Sequence, residues 1–255
     1  MATGWGRTRN MIGNIQNPLG YWWYKLRGSK GPFTFSVRNG IKLEVPRRLL
    51  STFKEMFFRM PYFEGLPKHI VMGPSPLVID IGANVGYFSM LMLSKYPDAQ
   101  VHAFEPYPPN LKLLRHYAAQ HPQLKLDIHP YAVAGQAGTM EFHYNADDEF
   151  STSAALVQNG EGSSMQVAVR TMPDFLNERQ ITAIDWLKVD CEGAEYSIFR
   201  ELPSEILQQT KIVTIENHDS EQPGETQQDL VESLKSQGFQ VHTNGYSPLI
   251  WAWRT

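Results

Sequence analysis

The sequence predicts an α/β fold built around a doubly wound, mainly parallel sheet. Three observations carry this prediction. From Leu77 onward, five apolar runs of strand length alternate with segments of helical periodicity. A glycine-containing turn, Gly82-Ala-Asn-Val-Gly86, follows the first run. Acidic residues close four of the runs, at Asp80, Glu105, Asp190 and Glu216, where an open sheet of this kind places its ligands.

Tyr21 to Arg27 has the length of a short helix, fenced by Gly20 and Gly28. Phe33-Thr-Phe-Ser-Val37 and Ile41-Lys-Leu-Glu-Val45 alternate apolar and polar residues around Arg38-Asn39-Gly40. Asn-Gly accepts the positive φ of a tight turn, so a β-hairpin is expected. Leu49 to Arg59 reads as an amphipathic helix stopped by Pro61. Leu77 to Asp80 is the first buried strand and Gly86 to Ser94 its helix. Gln100 to Glu105 is the second strand, and Pro108 and Pro109 suit the first turn of a helix running to Gln120. Leu124 to Ile128 is the third strand. Met140 to Tyr144 and Met165 to Val169 break the rhythm as an inserted strand pair, with Ser151-Thr-Ser153 in the polar loop between them. Trp186 to Asp190 and Ile212 to Glu216 are the fourth and fifth core strands, separated by a helix from Glu192 to Leu202. Thr226 to Gln237 is a helix closed by Gly238, and Phe239 to His242 with Leu249 to Trp253 form a final strand pair.

A chain of 255 residues buries one substantial core, which fits a single α/β domain with an extension. The division expected is residues 1–60, basic and aromatic, and residues 61–255, which bind the cofactor. No apolar stretch is long enough to cross a bilayer: Leu77 to Leu93 is interrupted by Asp80, Asn84 and two glycines. The segment MATGWGRTRN lacks the apolar core of a secretory signal, and the single Cys191 forms no intramolecular disulfide, so a cytoplasmic location is expected.

Glycine at 82 and 86 lets the backbone turn sharply and a ligand approach the following helix. Dinucleotide enzymes use glycine-rich turns in the same place. Asp80 separates the cases. Its carboxylate would be repelled by a pyrophosphate, by about 1 kcal/mol or more at contact distance even in a high dielectric. Beside the amino group and sulfonium of S-adenosyl-L-methionine it would be favourable. A cap on the following helix is the structural alternative. Glu105, nineteen residues past Gly86, suits the two ribose hydroxyls of either kind of nucleoside cofactor. Tyr87, Phe88 and Tyr131 are apolar wall candidates for the cofactor, each also suited to ordinary core packing.

The run Val78-Ile-Asp-Ile-Gly-Ala-Asn-Val-Gly-Tyr-Phe-Ser89 resembles the first motif of the FkbM-type methyltransferases. So do Ala103-Phe-Glu-Pro106, the insertion with Gly138 and Ser151-Thr-Ser153, Val169-Arg-Thr-Met-Pro-Asp174 and Leu187-Lys-Val-Asp-Cys-Glu-Gly-Ala-Glu195. The resemblance extends over roughly Tyr62 to Phe199, and the ordered spacing of the motifs is more specific than any one of them. It implies a Rossmann-like class I methyltransferase fold of seven core strands with the last pair antiparallel. It further implies methyl transfer from S-adenosyl-L-methionine to a hydroxyl of a sugar, glycan or secondary metabolite. Asp80, Gly82, Ala83, Asn84, Gly86, Phe88, Glu105, Pro106, Tyr131 and Ala132 are then the expected cofactor-binding residues. Asn84 replaces the middle glycine of the broader D-x-G-x-G-x-G pattern, a change that Asn tolerates in a left-handed backbone.

The fourth strand carries the expected reaction side. Lys188 and Asp190 are catalytic candidates, expected on opposite strand faces unless the strand end twists, with Asp190 at the sheet's mouth beside the methyl group. Glu192 and Glu195 share a helical face and suit a positive helix N-terminus. At the fifth strand's end, His218 is the general-base candidate by type and place, with an ordinary pKa of about 6.5. Asp190 with Glu216 and Asn217 also resembles the metal set of catechol and caffeoyl-CoA O-methyltransferases, three oxygen donors that would suit Mg²⁺. Cys191 beside them reads as packing.

Through Met60 the chain carries eleven Lys/Arg against two acids, a charge of +9, and the remainder carries −12. The basic part also holds Trp5, Trp22, Trp23, Phe53, Phe57 and Phe58. The favoured reading is a folded extension whose aromatics pack on the main domain and help form the acceptor pocket. Peripheral contact with a membrane is the alternative, and nucleic acid is not favoured. Two further functional classes stay open on the residues alone: an NAD(P)-dependent oxidoreductase and a non-catalytic binding module on a methyltransferase scaffold.

Overall fold

The computed structural model describes residues 4–144, 150, 163–218, 220 and 222–254. The expected Ser151-Thr-Ser153 motif lies outside the described residues.

Seven strands form the central sheet: β3 (Leu77–Ile81), β4 (Gln100–Phe104), β5 (Lys125–His129), β9 (Ile184–Val189), β10 (Thr210–Glu216), β11 (Gln240–Thr243) and β12 (Leu249–Trp253). Their order is β11-β12-β10-β9-β3-β4-β5. β5, β4, β3, β9 and β10 are parallel, and β12 runs antiparallel to both neighbours. The expected doubly wound sheet with an antiparallel final pair is therefore present. The chain moves outward from β3 through β4 to β5, then returns to lay β9 on the other side of β3. That reversal opens a crevice at the carboxyl ends of β3 and β9.

Alternation along the strands splits the core in two. Val78, Val101, Trp186 and Ile212 face one layer, while Ile79, Leu187, Val213 and Ile215 face the other. The first layer holds the helix α5 (Tyr87–Lys95) and much of the N-terminal segment. That segment comprises α1 (Gly4–Asn14), α2 (Pro18–Leu26), the hairpin β1 (Phe33–Ser36) and β2 (Lys42–Val45), α3 (Leu50–Lys54), a π-helical turn over Glu55–Arg59 and α4 (Pro61–Glu64). Phe35, Phe53 and Phe57 stack in series at 4.1 and 4.4 Å, and Phe53 meets Tyr87 of α5 edge-on at 5.3 Å. Residues on both sides of position 60 thus share one core.

The hairpin forms as expected, with Asn39 and Gly40 at φ 58° and 70°. The helix expected over Leu49 to Arg59 is instead broken into α3 and the π turn. Met60 follows in the left-handed region, and Pro61 opens α4 rather than merely ending its predecessor. α1 was not anticipated, since its sequence offers little apolar periodicity. It is held by side-chain amides: Asn14 Nδ2 donates to the Phe57 carbonyl at 2.6 Å and Asn10 Nδ2 to Phe58 at 3.0 Å.

The remaining helices are α6 (Pro108–Gln120), α7 (Met172–Glu178), α8 (Glu195–Glu201), α9 (Ser204–Gln208) and α10 (Gln227–Ser236). The inserted pair is β7 (Gly138–Tyr144) against β8 (Ser163–Arg170), joined by a short third strand β6 (Ala132–Val133). The helix expected from Glu192 starts only at Glu195. Glu192 and Gly193 have φ of 57° and 113°, so the chain leaves β9 through a left-handed turn.

Candidate active site

Two clefts meet in the crevice between β3 and β9. The first, about 580 Å³, is walled by Phe104, Val133 and Phe142 on its apolar side and by Glu105, Asn84 and Glu192 on its polar side. The second, about 1320 Å³, runs between the π turn, α4 and the loop before β12, with Tyr62, Lys188, Asp190 and Glu216 at its base. Gly82, Asn84, Asp190 and Glu192 line both.

The turn after β3 is built for close approach. A Cβ at Gly82 would lie 1.6 Å from the Asp190 carbonyl oxygen, and its φ of 73° is left-handed. Only glycine lets the ends of β3 and β9 touch here. Asn84, also left-handed at φ 52°, donates its backbone N–H to Glu105 Oε2 at 2.8 Å. Tyr107 N–H donates to Glu105 Oε1 at 2.7 Å. Burial pushes the Glu105 carboxyl up to about 7 against these donors, which pull it down.

Beneath the turn lies a buried ion network. Lys188 Nζ sits 3.2 Å from Asp80 Oδ1 and 3.3 Å from Asp190 Oδ2, and donates to the carbonyls of Ile81 and Gly82 at 3.2 and 2.7 Å. Burial alone would lower its pKa, but Asp80 and Asp190 outweigh that and hold the ammonium above its usual range. Asp80 Oδ2 accepts from Ser89 Oγ at 2.6 Å. Tyr62 Oη bridges Asp190 Oδ2 at 2.8 Å and Glu216 Oε2 at 3.1 Å, and burial with those two carboxylates keeps the phenol neutral. α4, which carries Tyr62, is pinned to β12 by Trp251 Nε1 donating to the Pro61 carbonyl at 3.0 Å.

A second network flanks the shared wall. His218 Nδ1 donates to Glu195 Oε1 at 2.8 Å, and Nε2 stands 3.3 Å from Glu192 Oε2. Glu195 is fully buried and also accepts from the backbone of Cys191 and Gly193, fixing the turn that presents Glu192. Burial would lower the His218 pKa, but Glu195 and Glu192 raise it to about 9. Burial raises Glu192 to about 7; His218 opposes this, and Asp190 and Glu216 add to it. Cys191 is pushed up by burial and by Glu195 and Asp190, so it supplies no thiolate.

The expected residues divide accordingly. Gly82, Ala83, Asn84, Phe88, Glu105, Pro106 and Ala132 line one cleft or the other. Asp80, Gly86 and Tyr131 line neither. Asp80 is fully buried with its charge matched by Lys188, which removes the repulsion argument against a pyrophosphate. Gly86 sits at the start of α5 against Leu114, and Tyr131 lies under the Arg170 guanidinium at 5.4 Å. Lys188 and Asp190 meet on one face, contrary to the expectation of opposite faces: residues two apart on a strand point the same way. The residues of the expected Mg²⁺ set are engaged in hydrogen bonds to tyrosines. Asn217 Oδ1 accepts from Tyr196 Oη at 2.5 Å in the interior, and Tyr62 holds Asp190 and Glu216 together. Asp190, Glu192 and His218 do bring ligand atoms within 4.8 Å of one another. In this arrangement the His218 imidazole stands between the Glu195 and Glu192 carboxylates, which hold its proton, so an ion there would have to displace that proton. Tyr62, Glu192 and Glu195 are among the site residues to which the sequence assigned no binding or catalytic role, as are the cleft walls Phe104, Val133 and Phe142. Glu192 left a signal in Glu-Gly, a pair that accepts a left-handed turn.

Glu105, Glu192 and His218 give the fold a pH dependence. Each holds its proton more tightly when folded than its ordinary value of 4.5, 4.5 and 6.5 respectively. Stability is therefore fully present below those values and lost as pH rises through the folded ones, about 7 for the carboxyls and about 9 for His218. Below 6.5 the buried His129, pushed down to about 4, and His102 act in the opposite sense, so we expect the unfolding temperature to fall between about pH 6.5 and about pH 9. A rise over that interval would contradict these assignments.

Sheet order, crevice and strand-end acids together define a class I methyltransferase fold. The description Methyltransferase FkbM domain matches residues 80–241. The chain belongs to the FkbM methyltransferase family. Over 203 residues it is 28% identical to the 31-O-demethyl-FK506 methyltransferase FkbM of Streptomyces tacrolimicus, covering 68% of this chain and 75% of that protein. It is 26% identical over 162 residues to the 2-O-methyltransferase NoeI of Sinorhizobium fredii, covering 58% and 65%. The crystal structure of methyltransferase FkbM from Methylobacillus flagellatus shares the fold, with a TM-score of 0.51 at 16% identity over 81% of this chain. The chain spans 54% of that protein's length.

Proposed function

We propose that the protein transfers a methyl group from S-adenosyl-L-methionine to a hydroxyl of a sugar or small secondary metabolite. The carrying observation is the pair of clefts that share Gly82, Asn84, Asp190 and Glu192 as a common wall. One cleft suits a nucleoside and the other an acceptor, so two ligands would meet at that wall. The relatives from Streptomyces tacrolimicus and Sinorhizobium fredii are both named for O-methylation, which supports an oxygen acceptor.

The residues of the first cleft fit the cofactor. Glu105 presents a buried carboxyl for ribose hydroxyls, and Phe104, Val133 and Phe142 give apolar walls for a base. When bound, S-adenosylmethionine supplies an electrophilic methyl carbon on a sulfonium. Glu192 takes the acceptor's proton. It lines both clefts, and its carboxyl at about 7 lies near working pH, as a general base requires. His218, the base expected from the sequence, is protonated below about 9 and instead steadies the Glu192 carboxylate. Glu195 holds His218 in place. Thr52, Glu55, Met56, Arg59 and Tyr62 line the second cleft, so the N-terminal segment supplies one acceptor wall. Alignment of acceptor oxygen and methyl carbon is then the chief contribution of the protein.

Calorimetric titration with S-adenosylmethionine and with NAD tests the cofactor, and labelled-methyl transfer to a panel of glycosides and hydroxylated metabolites tests the reaction. Binding of NAD without S-adenosylmethionine would overturn the proposal. Methylation by the metal-free route is expected to persist in EDTA within about twofold. Loss of activity in EDTA that is restored by a divalent cation would instead place an ion on Asp190, Glu192 and His218.

A further inference from the structure

The N-terminal aromatics fall into two sets. Tyr21, Phe35, Phe53, Phe57 and Phe58 are buried, as the packing expectation requires. Trp5, Trp22 and Trp23 are not: they are 87%, 62% and 61% exposed. In α2 the exposed large apolar residues are Leu19, Trp22, Trp23 and Leu26, at the i, i+3, i+4, i+7 spacing of one helical face, while Tyr21 turns into the core. In α1, Trp5 and Ile12 lie seven residues apart on one face and are likewise exposed. An apolar stripe turned to water, as on α2, marks an interaction surface.

Charge selects the partner. From the N-terminus to Leu43 the chain has Arg7, Arg9, Lys25, Arg27, Lys30, Arg38 and Lys42 and no acid at all. Two copies meeting through this stripe would bring cation against cation, with no carboxylate to offset it. An anionic bilayer surface matches both features: tryptophan and leucine settle at the headgroup–acyl boundary, and lysine and arginine reach the phosphates. No helix among the described residues is long and apolar enough to cross a membrane, which suits contact with one leaflet. The matched family region begins at residue 80, so this surface belongs to a part of the chain outside it.

We propose that α1 and α2 dock the protein on an anionic lipid surface, with Leu19, Trp22, Trp23 and Leu26 inserted and Lys25 and Arg27 at the phosphates. The proposal is independent of the methyl-transfer reading. It is tested by co-sedimentation of the full chain with vesicles of phosphatidylcholine alone and of phosphatidylcholine mixed with phosphatidylglycerol. The wild type is expected to partition at least about tenfold more onto the anionic vesicles and to be released by salt. Trp22→Ser/Trp23→Ser is expected to lose about tenfold or more of that partitioning while keeping its unfolding midpoint, since both side chains are exposed. Lys25→Ser/Arg27→Ser is expected to erase the preference for anionic lipid. No binding to either vesicle, or equal binding by the tryptophan variant and the wild type, would overturn the proposal. So would a concentration-dependent dimer in sedimentation velocity that the tryptophan variant abolishes.

Discussion

Replacement of Lys188 by methionine is expected to cost about 3–5 kcal/mol of folding stability, because it strands buried charges without a partner. Lys188 is 2% exposed, and its ammonium has four oxygen neighbours: Asp80, Asp190 and the carbonyls of Ile81 and Gly82. Methionine matches its stem but supplies no donor. Asp80 would keep only its hydrogen bond from Ser89, and the two carbonyls would lose a charged donor. The loss would be read from the midpoint of urea unfolding. Lys188, a catalytic candidate on sequence grounds, ties the end of β9 to the end of β3 in this network. Unfolding of Lys188→Met at the wild-type urea concentration, together with lost methyl transfer, would show that Lys188 acts on the reacting groups instead.

Glu192→Gln is expected to behave in the opposite sense. The amide fills the same space and removes a carboxyl that burial already disfavours as an anion, so folding stability should hold or rise. Turnover should fall by about 10²–10⁴-fold, the usual contribution of a positioned general base. The wild-type pH–rate profile should climb through about 7 as Glu192 loses its proton, and that limb should vanish in the variant. His218→Asn removes the cation that holds the Glu192 pKa down, so the limb should move to higher pH. Full activity of Glu192→Gln would sink the assignment and return the proton to Asp190 or Glu216.

The sheet was legible because its signal is local. Runs such as Val78-Ile-Asp-Ile and Trp186-Leu-Lys-Val are apolar on both faces, and Asn39-Gly40 states its own turn. Part of the lining of the first cleft was legible for the same reason, since Gly82, Asn84 and Glu105 lie at or just beyond strand ends. What failed depended on partners far along the chain. Asp80 could not be seen to spend its charge on Lys188, because that pairing depends on strand register. Tyr62 reaches Asp190 across 128 residues. Glu192 was read into a helix because Glu-x-x-Glu suits a helix start, yet Glu195 is needed to tie the backbone of Cys191 and Gly193. α1 has no stripe to announce it; asparagine amides bound to the carbonyls of a π turn hold it. The aromatic extension yielded half its meaning, since composition cannot distinguish a phenylalanine that stacks inside from a tryptophan left outside.

The contact between Gly82 and the carbonyl of Asp190 has a further consequence. It makes the floor common to both clefts a backbone feature, rigid and indifferent to neighbouring side chains. The walls of the second cleft come from elsewhere: the stretch from Thr52 to Tyr62 and the loop from Tyr246 to Leu249, which flank the parallel strands in sequence. Those two pieces are interchangeable parts mounted on a fixed chassis. Evolution, or a protein engineer splicing them from one relative into another, could reshape the second cleft while the floor it shares with the first stays as it is.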